Sequence, residues 1–295
     1  MEYQVIHTTE YTYFQPVSNC NNIARLLLRD TTGQRCTKTI ITIEPKPDIS
    51  REFEDFFGNK TMYFSIQQEH KKLRVTVKSL LEKNKTANNH TITENNTAWE
   101  TIPGQLTPAV NENLMAKQFI YPSYYTPLSQ DIVQYAKRSF MPGISMLAAA
   151  KDLTKRIFTD FAFTQGFTNI ATPLSEVMRS RKGVCQDFAH LAIACVRSMG
   201  LPARYVSGYI ETLPPPGKEK LFGADASHAW FSVYIPGTGW VDFDPTNNVM
   251  PADQHITIGW GRDYADIAPL KGVVVSSGSH QLSVSVDVRR LPLQT

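Results

Sequence analysis

Gly183-Val184-Cys185-Gln186-Asp187-Phe188-Ala189-His190 runs directly into Leu191-Ala192-Ile193-Ala194-Cys195-Val196-Arg197-Ser198-Met199-Gly200. Phe188, Leu191, Ala192, Cys195, Val196 and Met199 recur at three- and four-residue spacing, the pattern of an amphipathic helix. Gly200 and Pro202 end it, so the spacing predicts a helix from Cys185 to Met199. Cys185 then stands at the helix start, behind a glycine that permits a sharp entry. Unpaired N–H groups and the helix dipole favour a thiolate there, and such a thiol can titrate well below the free value of about 8.5. A cysteine in this position is more often packing than chemistry, so the reading turns on two later segments.

The first is Ala226-Ser227-His228-Ala229-Trp230-Phe231-Ser232-Val233-Tyr234-Ile235. Period-two alternation puts Ala229, Phe231, Val233 and Ile235 on a core face and His228, Trp230, Ser232 and Tyr234 on an open one. The second follows the turn Pro236-Gly237-Thr238-Gly239 and reads Trp240-Val241-Asp242-Phe243-Asp244-Pro245-Thr246. A hairpin brings Asp244 back to the His228 end. Pairing Ile235 with Trp240 sets Asp244 opposite Phe231, so twist, a bulge or the exit at Pro245 has to close the remaining gap.

A helix-start Cys, a strand His and a neighbouring Asp are the parts of a thiol acyl-transfer site. The imidazole takes the thiol proton and returns one to the leaving group, while the carboxylate fixes its tautomer. The backbone N–H of Cys185 can donate to the developing oxyanion. Spacing alone leaves alternatives: Asp242 as the orienting acid, His190 as the base, Cys195 as the thiol. His190 lies about 140° round the helix from Cys185 and Cys195 sits on the apolar stripe, so both read as packing. Asp187, Tyr209, Asp225 and Asp242 are nearby residues that could support the site or face the substrate.

Composition narrows the class. The chain has 295 residues, 42% hydrophobic and 19% charged, with net charge +3, which describes an ordinary globular protein rather than a nucleic-acid binder. Arg179-Ser180-Arg181-Lys182 is the densest basic cluster and reads as a solvated turn. Cys20, Cys36, Cys185 and Cys195 are too few and too irregular for a disulfide framework or a zinc site, so no metal or cofactor is expected. No signal peptide or apolar span is visible, and the chain reads as cytoplasmic, without membrane or nucleic-acid partners. Asn59, Asn84, Asn89 and Asn95 begin Asn-x-Thr triplets, read as chance in Asn-rich loops.

Residues 3–80 read as strands: around Val5, His7 and Thr9, then Thr37–Ile43, Thr61–Ile66 and Leu73–Leu80, separated by turns at Pro45–Asp48 and Phe57–Lys60. Residues 1–112 are therefore expected to form an antiparallel β domain plus a polar connector containing Pro103, Gly104 and Pro108. Helices are expected near 128–136, over 145–161 and over 172–178, a buried strand over 203–210, and a Pro-rich loop from Pro214 to Ala224 as a substrate-side rim. Residues 113–252 make the core. Residues 253–295 form a C-terminal segment whose strands are expected to complete the N-terminal β domain.

Four segments, in this order, resemble a bacterial transglutaminase-like family also described as candidate cysteine proteases: Gly183–His190, Arg204–Tyr209, Ala224–Trp230 and Gly239–Thr246. The stretch His255–Asp266 and the Phe57-Gly58-Asn59 turn resemble it too. The resemblance implies an α+β protein with a papain-like core, Cys185 as nucleophile, His228 as base and Asp244, rather than Asp242, as third member. It departs at Arg179, which stands six residues before the cysteine where papain-type proteases carry an oxyanion glutamine; the second oxyanion donor is thus unassigned. The expected reaction is acyl transfer at an amide of a peptide or protein, by hydrolysis or by crosslinking to an amine. A peptide-binding module that keeps the fold without turnover competes with it. Acyl transfer from a thioester is weaker, because no phosphate-binding Gly loop is evident.

Overall fold

The N-terminal strands follow from strict alternation. In β1 (Glu2–Val17) Tyr3, Val5, His7 and Thr9 are buried while Gln4, Ile6 and Thr8 are more exposed. After β2 (Asn19–Ala24), β3 (Gln34–Glu44), β4 (Ile49–Glu54) and β5 (Lys60–Ile66), β6 (His70–Lys83) buries Leu73, Val75 and Val77 between exposed Lys72 and Arg74. The structure, a computed structural model, describes residues 1–84, 96–106, 110–212, 225–275 and 278–292. Asn89, Asn95, Pro108 and the loop expected at 214–224 lie outside these.

The middle of the chain is helical: α1 (Ile102–Gln105), α2 (Asn111–Lys117), α3 (Gln130–Lys137) and α4 (Met146–Asp160). Ser129 and Ser145 cap α3 and α4, accepting from the N–H groups of Ile132 and Ala148. A two-residue strand β7 (Ala162–Phe163), α5 (Leu174–Ser180) and a second short strand β8 (Lys182–Gly183) lead into α6 (Cys185–Ser198). The apolar stripe predicted for α6 understates its surroundings, since every residue from Asp187 to Arg197 is buried. The helix lies between the sheet on one side and α3 and α4 on the other, so only small or fully paired side chains fit its remaining faces. Arg197 shows how. Its guanidinium donates to the carbonyls of Phe119, Ala203 and Arg262 and to the hydroxyls of Ser123 and Thr126.

Strands β9 (Ala203–Ile210), β10 (Ala226–Ile235), β11 (Gly239–Phe243) and β12 (His255–Gly261) form an antiparallel sheet in the order β11-β10-β9-β12. Ala229, Phe231, Val233, Val241 and Phe243 share the core with α6, as alternation requires. The opposite face is not open. Trp230 and Ser232 are fully buried there, with the rings of His228 and His255 against Trp230. Past the short helix α7 (Tyr264–Ile267), β13 (Leu270–Val275) pairs with β2 and β14 (His280–Arg290) with β1. They complete two four-stranded sheets, β14-β1-β6-β3 and β13-β2-β5-β4, which enclose a core of Tyr13, Phe64, Ile66, Leu73 and Val75.

The two parts meet along β12, the edge strand of the central sheet. The Gln34 side chain donates to the Thr257 carbonyl (2.7 Å) and accepts from its N–H (2.9 Å). Asn59 does the same to Trp260, at 2.8 and 3.0 Å. Two side-chain amides thus take up edge groups that would otherwise face solvent or another chain. Beside them the guanidiniums of Arg29 and Arg204 sandwich the Trp260 ring, each 3.7 Å from its centroid, and Arg204 also lies 4.2 Å from that of Trp240. Among the described residues, no helix is long and apolar enough to cross a membrane.

Candidate active site

Cys185 is the first residue of α6 and is partly exposed. The Asp187 carboxylate fixes the turn that presents it, accepting from the Val184 N–H at 2.8 Å and the Thr168 hydroxyl at 2.6 Å. Burial raises the Asp187 pKa, and these two hydrogen bonds oppose the rise. Asp187 therefore shapes the helix entrance. The first-turn N–H groups, that of Cys185 among them, have no partner within the helix.

His228 lies at the start of β10, opposite Gly208 of β9. The hairpin register differs by one residue from the simple expectation: Ile235 pairs with Gly239 and Phe231 with Phe243. Continued by one step, this sets Asp244 across from Trp230, on the same face as His228 and two residues from it. The shift comes from the turn closing one residue tighter, with Gly239 in the left-handed region at φ 92°. It does the work that twist or a bulge would otherwise have to do.

The His228 Nε2–H donates to Asp244 Oδ2 at 2.8 Å, with both side chains buried. Asp244 itself is closely held. Its Oδ1 accepts from the N–H groups of Thr246 (2.9 Å) and Asn247 (3.3 Å), the turn that Pro245 begins. Its Oδ2 also accepts from Asn247 Nδ2 (2.7 Å) and from His255 Nε2 (2.9 Å). Burial would raise the Asp244 pKa, but the hydrogen bonds from both histidines and Asn247, with the His228 charge, hold it well below the usual carboxylate range. Burial likewise would lower that of His228. Hydrogen bonding and charge from Asp244 and from Cys185 outweigh it and push the imidazole up to about 10. With Nε2 engaged by Asp244, Nδ1 is the nitrogen left for Cys185.

The other candidates are placed elsewhere. Asp242 pairs across from Ser232, and its charge acts on Arg204 and Lys83. His190 is buried, stacked on Tyr125 (5.2 Å between centroids), and accepts the Tyr264 N–H, while burial pushes it down to about 3. Cys195 is buried and pushed up to about 12. Both are packing residues of α6. The Tyr209 hydroxyl bonds to His7 Nδ1 at 3.0 Å, facing the N-terminal domain, and Asp225 accepts the N–H groups of Thr212 and Val288. Arg179 is exposed and paired with Glu176, so it does not replace the missing oxyanion glutamine.

Two residues of the site escaped the sequence reading, Asn247 and His255. Asn247 could have been noticed three residues after Asp244, at the spacing of a side chain that folds back over a turn. His255 carries no spacing signal, because it arrives from the far edge strand. His228, Asp244 and His255 place one possible ligand atom each within 4.8 Å of one another. Their contacts of 2.8 and 2.9 Å are shorter than the roughly 3.3 Å between ligands of a tetrahedral zinc site, and suit two N–H donors sharing one carboxylate oxygen. Beside Cys185, Gln186 and Asp187 border a cleft of about 240 Å³ walled by Tyr124, Tyr125, Ile170 and Leu174.

Comparison with known proteins agrees over the whole chain. Residues 3–82 match the bacterial transglutaminase-like N-terminal region and residues 133–245 the transglutaminase-like superfamily. An uncharacterized protein of Mycobacterium tuberculosis is 37% identical over 292 residues, covering 97% of this chain and 92% of its own. A solved structure from Cytophaga hutchinsonii, provisionally described as a cysteine protease, has the same fold with a TM-score of 0.76 at 22% identity, covering 100% of this chain and 92% of its own. A protein-glutamine gamma-glutamyltransferase of Pseudomonas aeruginosa is 37% identical over 73 residues, 24% of this chain and 11% of its own. The chain belongs to the transglutaminase-like superfamily and has the α+β fold of that Cytophaga hutchinsonii structure.

Proposed function

We propose that the protein carries out thiol-dependent acyl transfer at an amide bond of a peptide or protein, with hydrolysis as its main outcome. Cys185 is the nucleophile, His228 the base and Asp244 the residue that orients it. The Cys185 proton passes to His228 Nδ1, and the sulfur attacks the amide carbonyl. The oxyanion then forms beside the Cys185 N–H at the positive end of α6. His228 returns the proton to the departing amine, leaving a thioester. Water, activated by the same imidazole, releases the acid and the thiol. The observation that carries this reading is the His228–Asp244 hydrogen bond, which fixes Nε2 as the proton-bearing nitrogen and frees Nδ1 for the thiol. Cysteines 20, 36, 185 and 195 are all unpaired, which suits a reducing compartment, and we place the reaction in the cytoplasm.

The short match to a protein-glutamine gamma-glutamyltransferase favours a second acceptor, an amine, which would turn hydrolysis into crosslinking. Incubating the protein with casein and a fluorescent primary amine separates the two. New peptide termini or released ammonia without label mean hydrolysis, and label in casein means transfer. Either must vanish in Cys185→Ala. If neither occurs and the protein retains casein unchanged, the fold serves as a binding module and the proposal fails.

A further inference from the structure

Asp244 receives two imidazoles on one oxygen, and only one of them can meet Cys185. We propose that His255 is a positioning residue of the site: its Nε2–H, 2.9 Å from Asp244 Oδ2, holds the carboxylate against His228, and the N-terminal domain in turn holds His255. This rests on reading Cys185, His228 and Asp244 as nucleophile, base and orienting acid. His255 lies ten residues beyond the stretch 133–245 that matches the superfamily core.

The geometry leaves His255 little other use. It is 5% exposed, its ring stands edge-on to Trp230 (5.3 Å, 87°), and its Nδ1 has no hydrogen-bond partner among the described residues. Its one hydrogen-bonded ring nitrogen, Nε2, faces Asp244. Gly208 makes the arrangement possible. A Cβ there would lie 2.4 Å from the Trp230 ring and 2.2 Å from the Ile256 carbonyl, so only glycine lets Trp230 lie across β9 with its ring beside both histidines.

The other end of His255 is tied to the β domain. Lys83, the last residue of β6, donates its ammonium to the carbonyls of His255 and Ala252. Two residues on, Gln34 takes both backbone groups of Thr257. The start of β12 is thus fixed from the N-terminal side at the residue that reaches Asp244. This gives the β domain a part in the chemistry although it supplies no reacting group: it sets the place of the strand that sets the place of the carboxylate.

The test is the rate of iodoacetamide labelling at Cys185, located by peptide mass spectrometry, across pH 5–9 in wild type, His255→Gln and His255→Asn. Labelling reads thiol activation and needs no substrate, so it stands or falls separately from the proposed hydrolysis. A glutamine places its amide nitrogen where Nε2 sits, whereas an asparagine stops short. The Gln variant is expected to keep the wild-type profile, and the Asn variant to label about tenfold more slowly near pH 6, the loss of one hydrogen bond to a charged group. Wild-type labelling in His255→Asn, or equal losses in both variants, overturns the proposal. Should the Asn variant not fold, wild-type protein with ¹⁵N-histidine decides. Two hydrogen-bonded Nε2–H signals are expected, one absent in His228→Ala and the other in His255→Gln; a single signal overturns the proposal.

Discussion

Replacing Asp244 by Asn tests the electrostatics of the site without a substrate. Asp244 is fully buried and accepts five hydrogen bonds, three of them on Oδ2 from His228, His255 and Asn247. His228 is held at about 10 against 6.5 for a free side chain. Because the folded-state value is raised, its stabilising contribution is complete below pH 6.5 and is lost as pH climbs from 6.5 to about 10. That interval corresponds to at most roughly 5 kcal/mol. Asp244 and Cys185 share it, so the part owed to Asp244 is about 2–3 kcal/mol. Asp244→Asn is therefore expected to cost most stability at pH 6 and less at pH 10, the difference between the two proteins narrowing by about 2–3 kcal/mol. Urea unfolding at pH 6, 8 and 10 measures it, and comparing the variants cancels the titration of Lys83 and the tyrosines. A difference that stays constant from pH 6 to pH 10 refutes the reasoning, since a purely steric loss has no pH dependence.

Gly208→Ala is expected to lower stability by about 2–4 kcal/mol, because the new methyl meets backbone at Ile256 rather than a movable side-chain end; urea unfolding reads it, and a change below about 0.5 kcal/mol contradicts the packing described. Arg197→Met leaves the carbonyls of Phe119, Ala203 and Arg262 buried without this donor and is expected to cost about 3–5 kcal/mol. A melting temperature within two or three degrees of wild type, about 1 kcal/mol at this size, would show that other donors reach those carbonyls.

How far the sequence could be read depended on how local each determinant is. The start of α6 is fixed by residues 183–188, and the strands over 203–210 and 226–235 by alternation within single segments, so helix, strands and the place of Cys185 at the helix start were all legible. The His228–Asp244 contact was half legible. Alternation put both on one face, but the simple register put them out of step, because a hairpin register depends on how tightly its turn closes and Gly239 closes this one a residue early. The open face assigned to Trp230 and Ser232 was misread for a different reason. Alternation marks which residues differ in polarity, and Trp, Ser and Tyr are polar enough to pass as exposed. What packs on Trp230 includes His255 from the far edge strand, which no pattern within residues 226–235 reports.

His255 marks the limit of that kind of reading. Nothing in its neighbours distinguishes it from a strand-initial histidine such as His70, whose ring bonds to the carbonyl of Gln68 and to Cys20 Sγ. What makes His255 different is which groups it meets: the Asp244 carboxylate on one side, Trp230 across its ring, and Lys83 on its carbonyl. They come from three separate segments, the last from the other domain. The segments a sequence pattern picks out are those whose chemistry is set within a few residues. Groups such as His255 are recruited by topology, here by an edge strand whose backbone the β domain grips through Lys83 and Gln34. A transglutaminase-like core cut free of residues 1–112 would keep Cys185, His228, Asp244 and Asn247 yet lose the Lys83 contact at the His255 carbonyl.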